Sequence, residues 1–234
     1  MATRTYLSID VANRSLAFTY VEFAPAPPGA REDLSRLIER VENAGPDIPP
    51  RELRALAAEI DRLDATIQPC RVLAAGSADL TGGKKVKEVP LIARLTALHE
   101  FLHSAVPLPA DLPAGAEVLI EFQMGPNSKS HEIEAALIYH FAPVPGSTWT
   151  VRTIGPVLKN KIAPAPEGEW YRFRERSEAK SNYRVNKAHA RFNFEYLMDA
   201  WGLRAAYAKC CPQHRNDLAD TLMQALAVWK GDCF

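Results

Sequence analysis

The feature that most constrains this chain is an aspartate standing where a buried strand runs out. Residues Thr5 to Phe23 read as a strand, a short turn and a second strand. Leu7, Ile9 and Val11 alternate with Tyr6, Ser8 and Asp10, so both faces of the first strand carry residues fit for a sheet interior. Burying a polar group without partners costs roughly 2–7 kcal/mol, and a bare charge more, so Asp10 needs a cation or hydrogen-bond donors. Two readings are open at this point. Asp10 caps the turn through its own side chain, or it shares a metal with carboxylates from elsewhere in the chain.

Length and charge narrow the setting. The 234 residues suffice for one large domain or one domain with an insertion, and 47% hydrophobic content is ample for a core. Lys and Arg balance Asp and Glu at 28 each, so any attraction to nucleic acid must come from uneven placement. No run of about 18 apolar residues occurs, which argues against a membrane span. The chain reads straight into a strand, so no signal peptide is expected and a cytoplasmic location is. Cys70, Cys210, Cys211 and Cys233 show no C-x-x-C spacing. Adjacent Cys210 and Cys211 with His214 make a poor tetrahedral set for zinc, and reduced thiols are expected.

After the hairpin, the Pro-rich stretch Ala24 to Ala30 breaks the pattern. Helices are predicted from Glu32 to Asn43 and from Pro50 to Ile67, with Pro50 suited to a first turn. This arm, residues 31 to 66, holds nine acidic and six basic residues. It reads as a helical insertion at about 25–67, with dimer contact and lid equally open as roles. A third strand is predicted at Arg71 to Gly76, a basic loop at Gly82 to Lys87, and a helix from Val89 to Val106. His99 and His103 sit four apart on that helix, but with no third ligand nearby they read as surface or half-buried histidines. Val118 to Glu121 repeats the opening pattern, an apolar strand that ends in a carboxylate. Two such ends suggest a shared site at the strand termini, where open α/β sheets bind ligands. A helix from His131 to Phe141 and a strand from Thr148 to Ile154 follow.

The missing basic signal lies between Val151 and Arg191, with ten Lys or Arg against four Glu. Tyr171, Phe173 and Tyr183 are interleaved with these charges, a footprint suited to nucleic acid; the plainer alternative is a solvated surface helix and loop. The last predicted helix, Asn216 to Trp229, buries Leu218, Leu222, Ala225, Leu226 and Trp229. Asp217, Asp220 and Gln224 share another face. Two aspartates a turn apart repel by roughly 0.2–0.5 kcal/mol on a bare helix. Capping at the helix start by Asn216 and Asp217 accounts for one acid but not for Asp220. Asp10, Glu121, Asp217 and Asp220 are therefore the candidate catalytic and metal-ligating residues. Hard carboxylate oxygens of this kind suit two Mg²⁺ ions, with Mn²⁺ as a substitute.

With these residues in view, the chain resembles the RuvC-type Holliday junction resolvases of the RNase H-like superfamily, and most of all their poxviral, phage and fungal mitochondrial branch. The likeness is carried by Ser8-Ile9-Asp10 and its hairpin, by Leu119 to Gln123, by Val151 to Lys161, and by Arg215 to Gln224. The motifs occur in the family's order and cover most of the chain outside the arm. The resemblance implies a single α/β domain over residues 1–234, an RNase H-like mixed sheet flanked by helices. It implies a homodimer that resolves four-way DNA junctions by paired symmetric nicks. Asp10 would bridge two metal ions, with Glu121, Asp217 and Asp220 completing their shells. Lys159, Lys161, Lys180, Arg184 and Lys187 would hold backbone phosphates or developing charge. Ala12 stands where many relatives have glycine, with Asn13 as the alternative tight-turn residue, and Asn216 stands where an acid is common. The alternatives are another nuclease on the same fold (flap, fork, terminase-type or ribonuclease H), a sugar-kinase or actin-like ATPase, and a non-catalytic DNA-binding relative. The ATPase needs further phosphate motifs, and Gly82-Gly83 lies in a basic loop rather than in one.

Overall fold

The computed structural model describes residues 3–12, 14–24, 28–44, 49–67, 70–123, 128–162, 164 and 182–233. Five strands form one sheet: β1 (Arg4–Val11), β2 (Ser15–Phe23), β3 (Cys70–Asp79), β4 (Glu117–Glu121) and β5 (Thr150–Ile154), in the order β3-β2-β1-β4-β5. β1 and β2 form a hairpin closed by Ala12 N–H donating to Ser15 O at 2.9 Å. The end of β3 meets the start of β2, where Leu80 N–H donates to Arg14 O at 2.8 Å, so these two strands run antiparallel. β4 lies parallel to β1, and β5 parallel to β4. The result is a mixed five-stranded sheet flanked by helices.

Strand alternation divides the sheet into two faces. Leu7, Ile9 and Val11 of β1, Leu16 and Phe18 of β2, and Val118 and Ile120 of β4 join a continuous apolar core. That core includes Leu98 and Leu102 of α3 (Leu91–Ala105) and Ile133, Leu137 and Phe141 of α4 (Ser128–Phe141). Each fully buried aliphatic side chain there contributes about 1.5–3 kcal/mol relative to an exposed one. Gly76 of β3 serves this face, because a Cβ at that position would meet Phe18 Cε1 at 2.7 Å. Two further helices, α5 (Asn182–Ala200) and α6 (Arg215–Cys233), pack on each other, and α6 packs on β1 from the opposite face.

Helix α6 departs from the predicted two-faced helix. Every residue from Leu218 to Val228 is buried, Asp220, Thr221 and Gln224 included. The polar positions survive burial because the sheet offers matching groups. Ser8 Oγ donates to Gln224 Oε1 at 3.2 Å, and Thr19 Oγ1 shares hydrogen bonds with Thr221 Oγ1 at 2.7 Å and Tyr207 Oη at 3.0 Å. Helix α5 begins within the basic segment for which a solvated surface helix and loop is the plainer alternative, but Ala190, Phe194, Leu197 and Met198 form a buried stripe on it at helical spacing.

The chain divides into two compact units, residues 1–3 with 23–71 and residues 4–22 with 72–234. The smaller contains the helical pair α1 (Ala30–Ala44) and α2 (Pro50–Ile67), with the termini close to those predicted. An Arg40–Glu52 ion pair at 3.5 Å joins the two helices, and Leu56 is buried while Ile38 and Leu53 are exposed. An exposed pair of this kind contributes about 0–1 kcal/mol. No helix among the described residues is long and apolar enough to cross a membrane.

Candidate metal centre

The site begins with register. β1 and β4 pair in parallel with Ser8 opposite Leu119 and Ile9 opposite Ile120. One residue further on, Asp10 and Glu121 come to the same end of the sheet, and equal parity turns both towards the α6 face. Asp220 lies on the second turn of α6 above them, and Asp217 one turn earlier. Asp10, Glu121 and Asp220 are buried, at 7, 8 and 2% exposure, and Asp217 is half-buried. The four line an open cavity of about 420 Å³ together with Gln123, Lys159, Asn160, Asn186 and Lys187.

Each acid is held differently. Glu121 Oε2 accepts from Lys159 Nζ at 3.1 Å and from the Gln224 side-chain amide, so Ser8, Gln224 and Glu121 form a buried relay. Asp220 Oδ2 accepts from Lys159 Nζ at 2.5 Å. Asp217 Oδ2 accepts from Ser15 Oγ at 2.8 Å, and its other oxygen lies 3.8 Å from Lys187 Nζ. Because α6 already begins at Arg215, Asn216 lies inside the helix rather than ahead of it, and Asp217 engages the hairpin and α5 side chains. Among the described residues no hydrogen bond reaches the Asp10 carboxylate.

The electrostatics follow from that crowding. Burial pushes Asp10 well above the usual carboxylate range; Glu121, Asp220 and Asp217 push the same way, and Lys159 opposes them. Asp220 is raised chiefly by burial, against the pull of Lys159. For Lys159 burial disfavours the ammonium, but Asp10, Asp220 and Glu121 outweigh it and raise its pKa. The cluster is thus short of positive charge even with Lys159 inside it.

The donor chemistry fits a hard divalent cation: carboxylate oxygens from three elements, and Asn160 Oδ1 as a buried acceptor without a partner. Among the described residues, however, no group of three or more His, Cys, Asp or Glu is gathered in a form ready to hold a metal ion. At the four acids, the space between Glu121 and Asp220 is taken by the Lys159 ammonium.

Of the basic residues expected to meet DNA, Lys159 and Lys187 are in the cavity wall. Lys180 and the side chains of Lys161 and Arg184 lie outside the described residues, as do Tyr171, Phe173 and Asn13. Ala12 needs no glycine, because no described residue other than glycine has positive φ. Ser8, Ser15 and Gln224 as supports of the acids were not foreseen. Only Gln224 carried a signal, its shared helical face with Asp217 and Asp220. His99 and His103 are exposed, with ring centroids 4.2 Å apart, and His140 of α4 lies 5.8 Å from His103.

No family model matches the chain, and no curated protein does. Solved structures similar to it include RuvC of Thermus thermophilus, at 14% identity and a TM-score of 0.46, covering 97% of this chain and 96% of its own. Another is the Fowlpox virus resolvase in complex with substrate Holliday junction DNA, at 12% identity and a TM-score of 0.44, with 97% of each chain covered. A third is Thermus thermophilus RuvC in complex with a Holliday junction substrate, at 11% identity and a TM-score of 0.47, covering 97% of this chain and 96% of the other. Likenesses of this size decide neither activity nor substrate, which rest on the residues of the site.

Proposed function

We propose that this chain is a metal-dependent, structure-specific endodeoxyribonuclease that resolves four-way DNA junctions as a homodimer by paired symmetric nicks. The observation that carries this reading is the arrival of Asp10, Glu121, Asp217 and Asp220 at one cavity from two parallel strand ends and one helix. Side chains that repel one another in a buried place are retained there at a cost in stability, and a pair of divalent cations relieves that cost.

In this reading Asp10, Glu121, Asp217 and Asp220 would together hold two Mg²⁺ ions. The chemistry they would supply there is a lowered pKa for a bound water and compensation of negative charge on the phosphate. The chain's own residues do the rest. Gln224, held by Ser8, fixes the orientation of Glu121, and Ser15 fixes Asp217. Lys187 at the cavity wall meets backbone phosphate, together with the basic segment from Arg152 to Arg191.

The test is cleavage of a four-way junction, a flap, an RNA–DNA hybrid and a linear duplex at equal concentration, with and without Mg²⁺. Junction cutting that needs the metal is expected. Asp10→Asn and Asp217→Asn are each expected to lower it by about 10³-fold or more while junction binding persists. Equal cutting of linear duplex would sink the junction assignment, and cleavage surviving in both variants would sink the metal site.

A further inference from the structure

Lys159 is the one cation enclosed by the acids among the described residues. Its ammonium bonds Glu121 and Asp220 at 3.1 and 2.5 Å, and its side chain is 12% exposed. A divalent cation held by the same two carboxylates would need the space between them. That is where the ammonium is. Two cations cannot share that span, since each would lose its oxygens to the other and they would repel at contact distance.

We propose that Lys159 is a displaceable internal counter-cation: it fills the metal position in the metal-free chain and must leave before the carboxylates close on a divalent ion. The inference rests on the reading of these acids as metal ligands, and it adds a step that reading does not contain. Lys159 sits in the 3-10 turn Leu158–Lys161, directly after the loop that leaves β5, and the cavity beside it is open. A released ammonium therefore swings into the cavity, on the side from which a phosphodiester approaches. An incoming phosphate gives the lysine a new partner, so metal and DNA each favour the binding of the other. Held in place, Lys159 offsets the charge of Glu121 and Asp220 and makes the site reluctant to load without substrate.

The experiment measures Mn²⁺ binding to the full chain without DNA, by titration calorimetry and by paramagnetic resonance of the free ion. Wild type, Lys159→Met and Asp10→Asn are compared. Lys159→Met is expected to bind Mn²⁺ about tenfold more tightly than wild type, and Asp10→Asn to lose the site. A second readout needs no variant: acetic anhydride labelling of wild-type lysines followed by mass spectrometry. Mg²⁺ or Mn²⁺ is expected to raise labelling of Lys159 several-fold while exposed Lys84 stays constant. If wild type binds Mn²⁺, Asp10→Asn does not, and neither Lys159 measurement moves, the counter-cation is overturned and the metal site stands. If neither wild type nor Lys159→Met binds Mn²⁺, both fall.

Discussion

The two faces of β1 are built from neighbouring residues and follow opposite rules. Leu7, Ile9 and Val11 enter an all-apolar core against α3 and α4. Tyr6, Ser8 and Asp10 face α6, where burial is as complete but Ser8, Thr19, Thr221, Gln224, Glu121 and Asp220 are polar or charged. The first face derives its stability from area removed from water, which is non-directional and tolerates approximate shapes. The second depends on each polar atom finding its partner, and where a partner is missing, at Asp10, the face stores repulsion. The difference teaches that the proposed site occupies the face whose stability depends on exact pairing, where an apolar face of the same size would not.

That comparison is tested most severely by Ile9→Ala, one residue from the site but on the apolar face. It is expected to cost about 2–5 kcal/mol in urea unfolding, with metal affinity of the remaining folded protein unchanged. Thr221→Val, on the polar face, leaves Thr19 short of a partner and is expected to cost about 1–2 kcal/mol. Asp10→Asn should have the opposite sign. Removing a buried, crowded charge is expected to stabilise the metal-free protein by about 0.5–2 kcal/mol in the same assay while cleavage is lost. A destabilised Asp10→Asn would mean that the polar face carries no stored repulsion.

The smallest effect lies at the sheet margin. Asp79 accepts from Thr81 and Arg14, and although burial works against it, these bonds hold its carboxyl down at about 2, below its ordinary 3.8. A lowered folded-state pKa contributes stability above the ordinary value, and this is lost as pH falls from about 4 through 2. With Arg14 more than half exposed, the contribution is discounted to about 1 kcal/mol. Asp79→Asn is expected to remove it at pH 7 and to flatten that part of the stability profile between pH 4 and 2.

What the sequence by itself determined was local. Alternation in Thr5 to Phe23 specified the hairpin, and apolar runs ending in Asp10 and Glu121 marked two strand ends. The spacing of Asp217, Asp220 and Gln224 put three polar groups on one side of a helix. Short-range sterics and periodicity suffice for each of these. Only the tertiary structure decided that α6 would be buried all round, because that depends on Ser8 and Thr19 standing opposite Gln224 and Thr221, more than 200 residues away in the chain. It also decided that Lys159 would close on Glu121 and Asp220. From sequence, five basic residues between Lys159 and Lys187 were equal candidates for phosphate. The carboxylates distinguish one of them, since a buried ammonium is stable only where several negative charges meet it, and that meeting is a property of three elements together.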